Sequence, residues 1–209
     1  MDMSLFFRLS FITLWALFTL VRFYYGRKTK THDSVAGVME KLKTTEEVGI
    51  GFKIITLIIG VFGVLGLVLY LLSPSWWKWT VIPISGWIQW LGIVVAIGSI
   101  FFLIRVHQHL DKQWSITLEV QEDHKLITTG PYKYVRHPMY LGLFLYTIGL
   151  MMVSLDLFVI LFFAFTIWVN YRRIPREEQM LIEKFGDEYL DYIKRSGRLL
   201  PMFRRNKLL

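Results

Sequence analysis

Thr129-Gly130-Pro131-Tyr132-Lys133-Tyr134-Val135-Arg136-His137-Pro138-Met139-Tyr140 crowds polar and aromatic groups together immediately ahead of a long apolar run. Beyond that run lies a second polar cluster, Arg172-Arg173-Ile174-Pro175-Arg176-Glu177-Glu178. The run divides into residues 139–152 and 155–171, separated by Val153-Ser154. As helix the first half reaches only about 21 Å at 1.5 Å per residue, so the two halves read as a tight helical hairpin. A hairpin returns both clusters to one membrane surface, and that closure points to a site.

The rest of the composition fits a membrane. The 209 residues suffice for one domain. They are 54% apolar, 16% aromatic and 19% charged, with a positive mean hydropathy of +0.44, which is unusual for a soluble globular protein. There is no cysteine, which excludes disulfides, thiolate nucleophiles and cysteine-ligated metals. The net charge of +8 raises nucleic acid as a partner. However, the basic residues form three blocks flanking apolar runs, and no nucleic-acid-binding motif accompanies them. The positive-inside bias of membrane proteins explains them better. Only Arg8 precedes the first apolar run and no small-residue cleavage site follows, so this run reads as a retained span.

Working outward, residues 5–25, 54–72 and 84–104 are each long enough to cross a bilayer, which takes about 20 apolar residues as helix. With the hairpin they give an all-α integral membrane protein of about five transmembrane helices. Residues 1–104 form three spans with a cytosolic loop at 26–50, which holds a short amphipathic helix around 35–42. Residues 105–209 form the second part: a cytosolic segment, the hairpin 139–171, and a cytosolic C-terminal helix and tail. Lys78 is the basic residue of the external loop, so the N-terminus reads as outside and the C-terminus as cytosolic. Gly60, Gly63 and Gly66 recur at spacings that let helices approach closely in lipid, as do Gly92 and Ala96. Trp76, Trp77 and Trp79 read as an interfacial aromatic belt. His107 and His109 point to different faces of a helix, so they make a poor chelating pair and read as solvated, with no metal site expected. In the segment 105–138, residues 115–120 are extended in character and 121–123 form a turn.

Chemistry gathers at the two clusters. Proline suits the first turn of a helix, which puts Pro138 there, His137 at the cap and Tyr140 on the same side one turn on. The free N–H groups and dipole at such an end favour an anion. Taken alone, a well-capped helix explains this stretch equally well. Arg173 and Glu177 are four apart, Glu178 is adjacent, and Pro175 is expected to bend the chain between them. A cation and two carboxylates at the end of a span, facing His137, are suited to an amino-acid-like cofactor and an anionic substrate.

The order Gly130-x-Tyr132-x-x-x-Arg136-His137-Pro138-x-Tyr140-x-Gly142, then Arg173-x-x-x-Glu177-Glu178-x-x-Leu181-x-x-x-Phe185-Gly186-x-x-Tyr189-x-x-Tyr192, closing with Pro201, resembles the isoprenylcysteine carboxyl methyltransferase family in its short prokaryotic form. The resemblance covers roughly residues 110–203 and assigns catalysis and cofactor binding to the second part, 105–209. It implies an integral membrane methyltransferase that uses S-adenosyl-L-methionine without a Rossmann domain, and no G-x-G-x-x-G occurs here. By that resemblance the cofactor contacts fall on His124, Lys125, Leu126, Ile127, Tyr132, His137, Pro138, Met139, Tyr140 and Glu177. A further polar contact comes from Glu119 or Gln121. Arg173 and Glu178 are the expected catalytic residues, with Arg173 towards the substrate carboxylate.

The implied acceptor is a prenylated cysteine or similar lipophilic carboxylate, which is ionised at neutral pH without a general base. It would reach a cytosolic-face site sideways from the bilayer. Gly142 is placed either at that opening or in plain helix packing. Two further activities stay open: a phospholipid N-methyltransferase, and an NADPH-dependent oxidoreductase, because sterol reductases share a similar His-Pro-x-Tyr and Phe/Tyr-Gly-x-x-Tyr ending. A non-enzymatic membrane scaffold is the remaining alternative.

Overall fold

The computed structural model describes residues 3–28, 50–72, 75–84, 86–110 and 126–202. The expectations for 35–42, 115–120 and 121–123, and those on Glu119, Gln121, His124 and Lys125, lie outside the described residues. The described elements are α1 (Met3–Lys28), α2 (Ile50–Leu72), a 3-10 turn (Ser75–Thr80), α3 (Trp87–Leu110), a second 3-10 turn (Gly130–Lys133), α4 (Pro138–Ser154), α5 (Leu157–Phe185) and α6 (Asp187–Arg195). Among the described residues there is no strand, and the protein is an all-helical integral membrane protein. The helices α1, α3 and α5 are long and apolar enough to cross a membrane, while α4 is a shorter apolar helix. At 17 residues α4 spans about 25 Å.

The elements follow from local sequence. Pro138 opens α4 with His137 at its cap, as the missing proline N–H permits. Leu155 closes α4 in the left-handed conformation (φ 44°), and Asp156 caps α5 by accepting from the Val159 N–H at 3.1 Å. The apolar stretch of α5 ends near Tyr171, but the helix does not stop or turn there. It continues through Pro175 to Phe185, carrying Glu177 and Glu178 beyond the apolar stretch. Pro175 removes the bond that would reach the Tyr171 carbonyl, and it does so at an exposed position, away from the packed face of α5.

The core runs along all five apolar helices, from Phe7, Phe11 and Leu14 through Leu67, Tyr70, Ala96 and Ile100 to Tyr146, Leu150, Val153 and Val159. Phe18 stacks on Tyr146 at 4.2 Å, and the Tyr146 hydroxyl donates to the Leu14 carbonyl at 3.2 Å. In lipid, close approach rather than apolar burial drives helix association, and the small residues serve it. A Cβ on Gly149 would lie 2.8 Å from the Ala96 nitrogen, and one on Gly92 would lie 2.8 Å from the Val153 nitrogen. The α3 and α4 backbones therefore touch. Gly63 of α2 leaves room for the Phe162 ring of α5, with which a Cβ would collide, and Phe158 lies at van der Waals distance from Gly66.

The α4–α5 turn is tied to the chain ahead of α3. Thr80 donates its hydroxyl to the buried Asp156 carboxylate, and the Ile82 N–H donates to the Leu155 carbonyl at 2.8 Å. Trp76 and Trp79 are exposed, as an interfacial belt requires. Trp77 departs from it: buried, it packs on Phe158 at 4.7 Å. His107 departs from the solvated reading too. It is buried and stacks on Tyr25 of α1 at 4.6 Å, because the end of α1 covers that face of α3. His109, on the other face, is exposed.

Gly142 belongs to helix packing. A Cβ there would come 2.6 Å from Leu103 Cδ2 and 3.0 Å from Phe102 Cδ1 of α3. Gly142→Leu is expected to destabilise the protein by about 1–3 kcal/mol through overpacking. A thermal melt checks this, and an unchanged melting temperature would return Gly142 to an opening.

Candidate functional site

The two sequence clusters meet. The link is Glu178, buried in the extension of α5 beyond the apolar stretch. Its Oε1 accepts from Arg136 Nε at 3.0 Å and lies 3.3 Å from His137 Nε2, while its Oε2 accepts from Arg198 Nη2 at 2.5 Å. One carboxylate thus gathers the end of α5, the cap of α4 and the chain beyond α6.

Backbone pairing completes the frame. Val135 bridges Gly197 in parallel, the Arg136 N–H donates to the Gly197 carbonyl at 2.7 Å, and the His137 N–H donates to the Arg198 carbonyl at 3.1 Å. Arg136 also donates to the carbonyls of Ile193 (3.2 Å) and Ser196. The Tyr192 hydroxyl, on the buried face of α6, donates to the Tyr132 carbonyl at 2.5 Å. Gly186, with φ 52° between α5 and α6, supplies the left-handed joint that folds α6 back, a conformation glycine adopts without steric cost. At the other edge, Gly130 (φ 57°) lies against the His109 ring of α3, where a side chain would collide.

Within this frame Glu177 is half-buried, with its Oε2 3.9 Å from His137 Nδ1. That oxygen is buried and has no hydrogen-bond partner among the described residues. The Tyr140 hydroxyl faces the Glu177 carboxylate, and Arg173 stands one turn earlier than Glu177 on α5. The ring of Tyr140 is 5.8 Å from that of His137, edge to face. Of the expected site residues, His137, Tyr140, Arg173, Glu177 and Glu178 therefore come together. Tyr132 is buried within the field of Glu177, and its carbonyl is held by α6. Pro138 is buried and Met139 half-buried in the first turn of α4, and Leu126 and Ile127 are half-buried ahead of the 3-10 turn.

Arg136 stood in the motif without a role, and Arg198 carried no signal at all. Only the fold shows that both close on Glu178. No group of histidines and carboxylates suited to a metal ion occurs among the described residues.

Burial alone would raise the Glu178 carboxyl, but hydrogen bonds from His137, Arg198 and Arg136 outweigh it and hold it down to about 2. Burial pushes the Tyr192 phenol up to about 12 and raises those of Tyr132 and Tyr189, so all three remain neutral, and the Tyr192 hydroxyl keeps the hydrogen it donates to the Tyr132 carbonyl. The folded Glu178 binds its proton less tightly than an ordinary carboxyl at 4.5, so the cluster stabilises the fold fully above pH 4.5. That contribution is expected to fade from pH 4.5 down towards about 2. Melting temperatures across this window should fall in the wild type and change less in Glu178→Gln.

The fold and the site define a class: a helical membrane protein whose polar centre is built at one end of the bundle, from a capped helix, a helix extension and a returning C-terminal segment. Residues 90–183 match the isoprenylcysteine carboxyl methyltransferase family. The mouse protein-S-isoprenylcysteine O-methyltransferase is 38% identical over 91 residues, covering 43% of this chain and 32% of that protein. The Saccharomyces cerevisiae protein of the same name is 39% identical over 82 residues, covering 39% of this chain and 34% of its own length. Form B from Arabidopsis thaliana is 28% identical over 135 residues, covering 62% of each. The matches thus span about a third of the mouse and yeast proteins. A solved structure of the eukaryotic intramembrane Ras methyltransferase of this family shares the fold, with a TM-score of 0.60 at 20% identity, over 96% of this chain and 71% of that one.

Proposed function

We propose that this chain is an S-adenosylmethionine-dependent membrane methyltransferase that acts on the carboxylate of a prenylated cysteine or a similar lipophilic acid. The observation that carries the reading is Glu177: one oxygen of its carboxylate, Oε2, is buried and has no hydrogen-bond partner among the described residues, beside His137 and one turn from Arg173. A buried carboxylate oxygen left in that state costs free energy unless a cation or donor completes it. The cofactor carries such a cation on its amino-acid portion, so the residues present fit it.

In this reading His137, Pro138, Met139, Tyr140 and Glu177 hold the amino-acid end. Tyr132 with His124, Lys125, Leu126 and Ile127 holds the remainder. When bound, the cofactor supplies a methyl group already activated on a sulfonium. The protein's own work is to position the partners and exclude water. No residue needs to remove a proton, because the acceptor carboxylate is ionised at neutral pH. Arg173 grips that carboxylate with its planar fork, and the prenyl chain stays in lipid between helices. An amine lipid would instead need a proton acceptor and no arginine. Glu178 has both oxygens engaged by Arg136, His137 and Arg198, so it supports the site from behind.

The topology belongs to the same proposal. The N-terminus lies outside, the C-terminus and the site face the cytosol, residues 1–104 anchor the chain and 105–209 carry the chemistry. The water-soluble cofactor arrives from the cytosol and the acceptor through the bilayer. Purified protein in detergent, given methyl-labelled S-adenosylmethionine, should label a soluble prenylcysteine with a free carboxylate and leave phosphatidylethanolamine unlabelled. Labelling of the amine lipid alone would overturn the acceptor assignment.

A further inference from the structure

The helices long and apolar enough to cross a membrane, α1, α3 and α5, share a pattern that the site does not use. On each, an exposed aromatic is followed four residues later by an exposed arginine: Phe23 and Arg27 on α1, Phe101 and Arg105 on α3, Trp168 and Arg172 on α5. Residues four apart share one helix face, about 6 Å apart along the axis. The Arg27 guanidinium stands 4.6 Å from the centre of the Phe23 ring, and that of Arg172 stands 5.9 Å from Trp168. Both distances suit a cation–π contact, which steadies the guanidinium at the outer surface.

The pairs gather at the end of the bundle that carries the site. Tyr25 of α1 stacks on His107 of α3, the His109 ring lies against Gly130, and Arg172 adjoins Arg173. None of the three arginines has a carboxylate partner among the described residues. Helix-end electrostatics do not account for Arg105 and Arg172, because α3 continues to Leu110 and α5 to Phe185. At the opposite end Arg8 of α1 donates to Ser4 at 3.0 Å.

We propose that this rim binds anionic phospholipids, each arginine taking a lipid phosphate while the aromatic one turn back packs against the upper acyl chain. An aromatic ring suits the boundary between headgroup and hydrocarbon, and the planar fork of arginine suits phosphate. A choline headgroup brings its own cation towards the guanidinium, whereas phosphatidylglycerol keeps a net negative charge, so the rim discriminates between them. The inference does not depend on what the site catalyses.

The test is native mass spectrometry of the full chain in detergent, offered equal amounts of phosphatidylglycerol and phosphatidylcholine with the same acyl chains. The wild type is expected to retain phosphatidylglycerol in preference. Arg27→Gln, Arg105→Gln and Arg172→Gln should each weaken one phosphatidylglycerol site about fivefold, the effect of one basic residue at an anionic surface. Lys78→Gln, at the opposite end, should match the wild type, and melting curves check that each variant is folded. Equal retention of the two lipids by the wild type would make the rim an ordinary bilayer edge and overturn the proposal, and this comparison needs no variant to fold. A preference that survives all three replacements together, or that falls as much with Lys78→Gln, would overturn it too.

Discussion

Replacing Glu177 with glutamine is expected to weaken S-adenosylhomocysteine binding by about 2–3 kcal/mol, or roughly 30- to 150-fold in Kd. The amide keeps the shape of the side chain and removes its charge. Its buried oxygen, which has no partner among the described residues, is then no longer an anion awaiting a cation. The fold should tolerate the change, because the interlocking ion cluster is centred on the neighbouring Glu178. Calorimetry on purified protein reads the loss directly, with a melting curve as control. An unchanged Kd would remove Glu177 from the cofactor site.

Arg173→Lys is expected to separate the two substrates. The charge survives, but the planar fork that holds a carboxylate at two points is lost. Turnover with a prenylcysteine should fall about tenfold or more, while the affinity for S-adenosylhomocysteine stays near wild type. The position permits that separation, since Arg173 is half-buried at the rim, one turn from Glu177, and is not among the donors to Glu178. If turnover and cofactor affinity fall together, Arg173 belongs to the cofactor site or to folding.

The helical membrane architecture was legible because apolar runs of span length, bounded by basic blocks, leave few alternatives in lipid. The hairpin was legible from Val153-Ser154 and from the polar clusters on either side, and its prediction that the clusters meet is realised in the 3.3 Å approach of His137 to Glu178. The course of α5 past Tyr171 was not legible. Propensity gives proline as a breaker, yet at an exposed position the helix loses one hydrogen bond and continues to Phe185.

Gly142 shows a different limit. A small residue reads the same from sequence whether it faces an opening or a neighbouring helix, and only the position of Leu103 decides it. The burial of His107 likewise depends on Tyr25, more than eighty positions earlier in the chain. Arg198 is the clearest case in the site. It lies in no helix, in a short basic stretch, and acquires its partner through the pairing of residues 135–137 with 197–198. Long-range contacts of that kind leave no periodicity to read. Glu178 was read as catalytic because it adjoins Glu177, and its neighbours in space suggest instead a residue that holds others in place.

The central claim is that the site at the end of α4 and α5 takes an S-adenosyl amino acid. Calorimetric titration of the wild-type protein in detergent with S-adenosylhomocysteine and, separately, with NADPH tests it most directly. The expected result is saturable, one-to-one binding of S-adenosylhomocysteine with no heat from NADPH. Binding of NADPH in place of S-adenosylhomocysteine would contradict it and make the chain a reductase-like protein, and binding of neither would make it a scaffold that shares the fold.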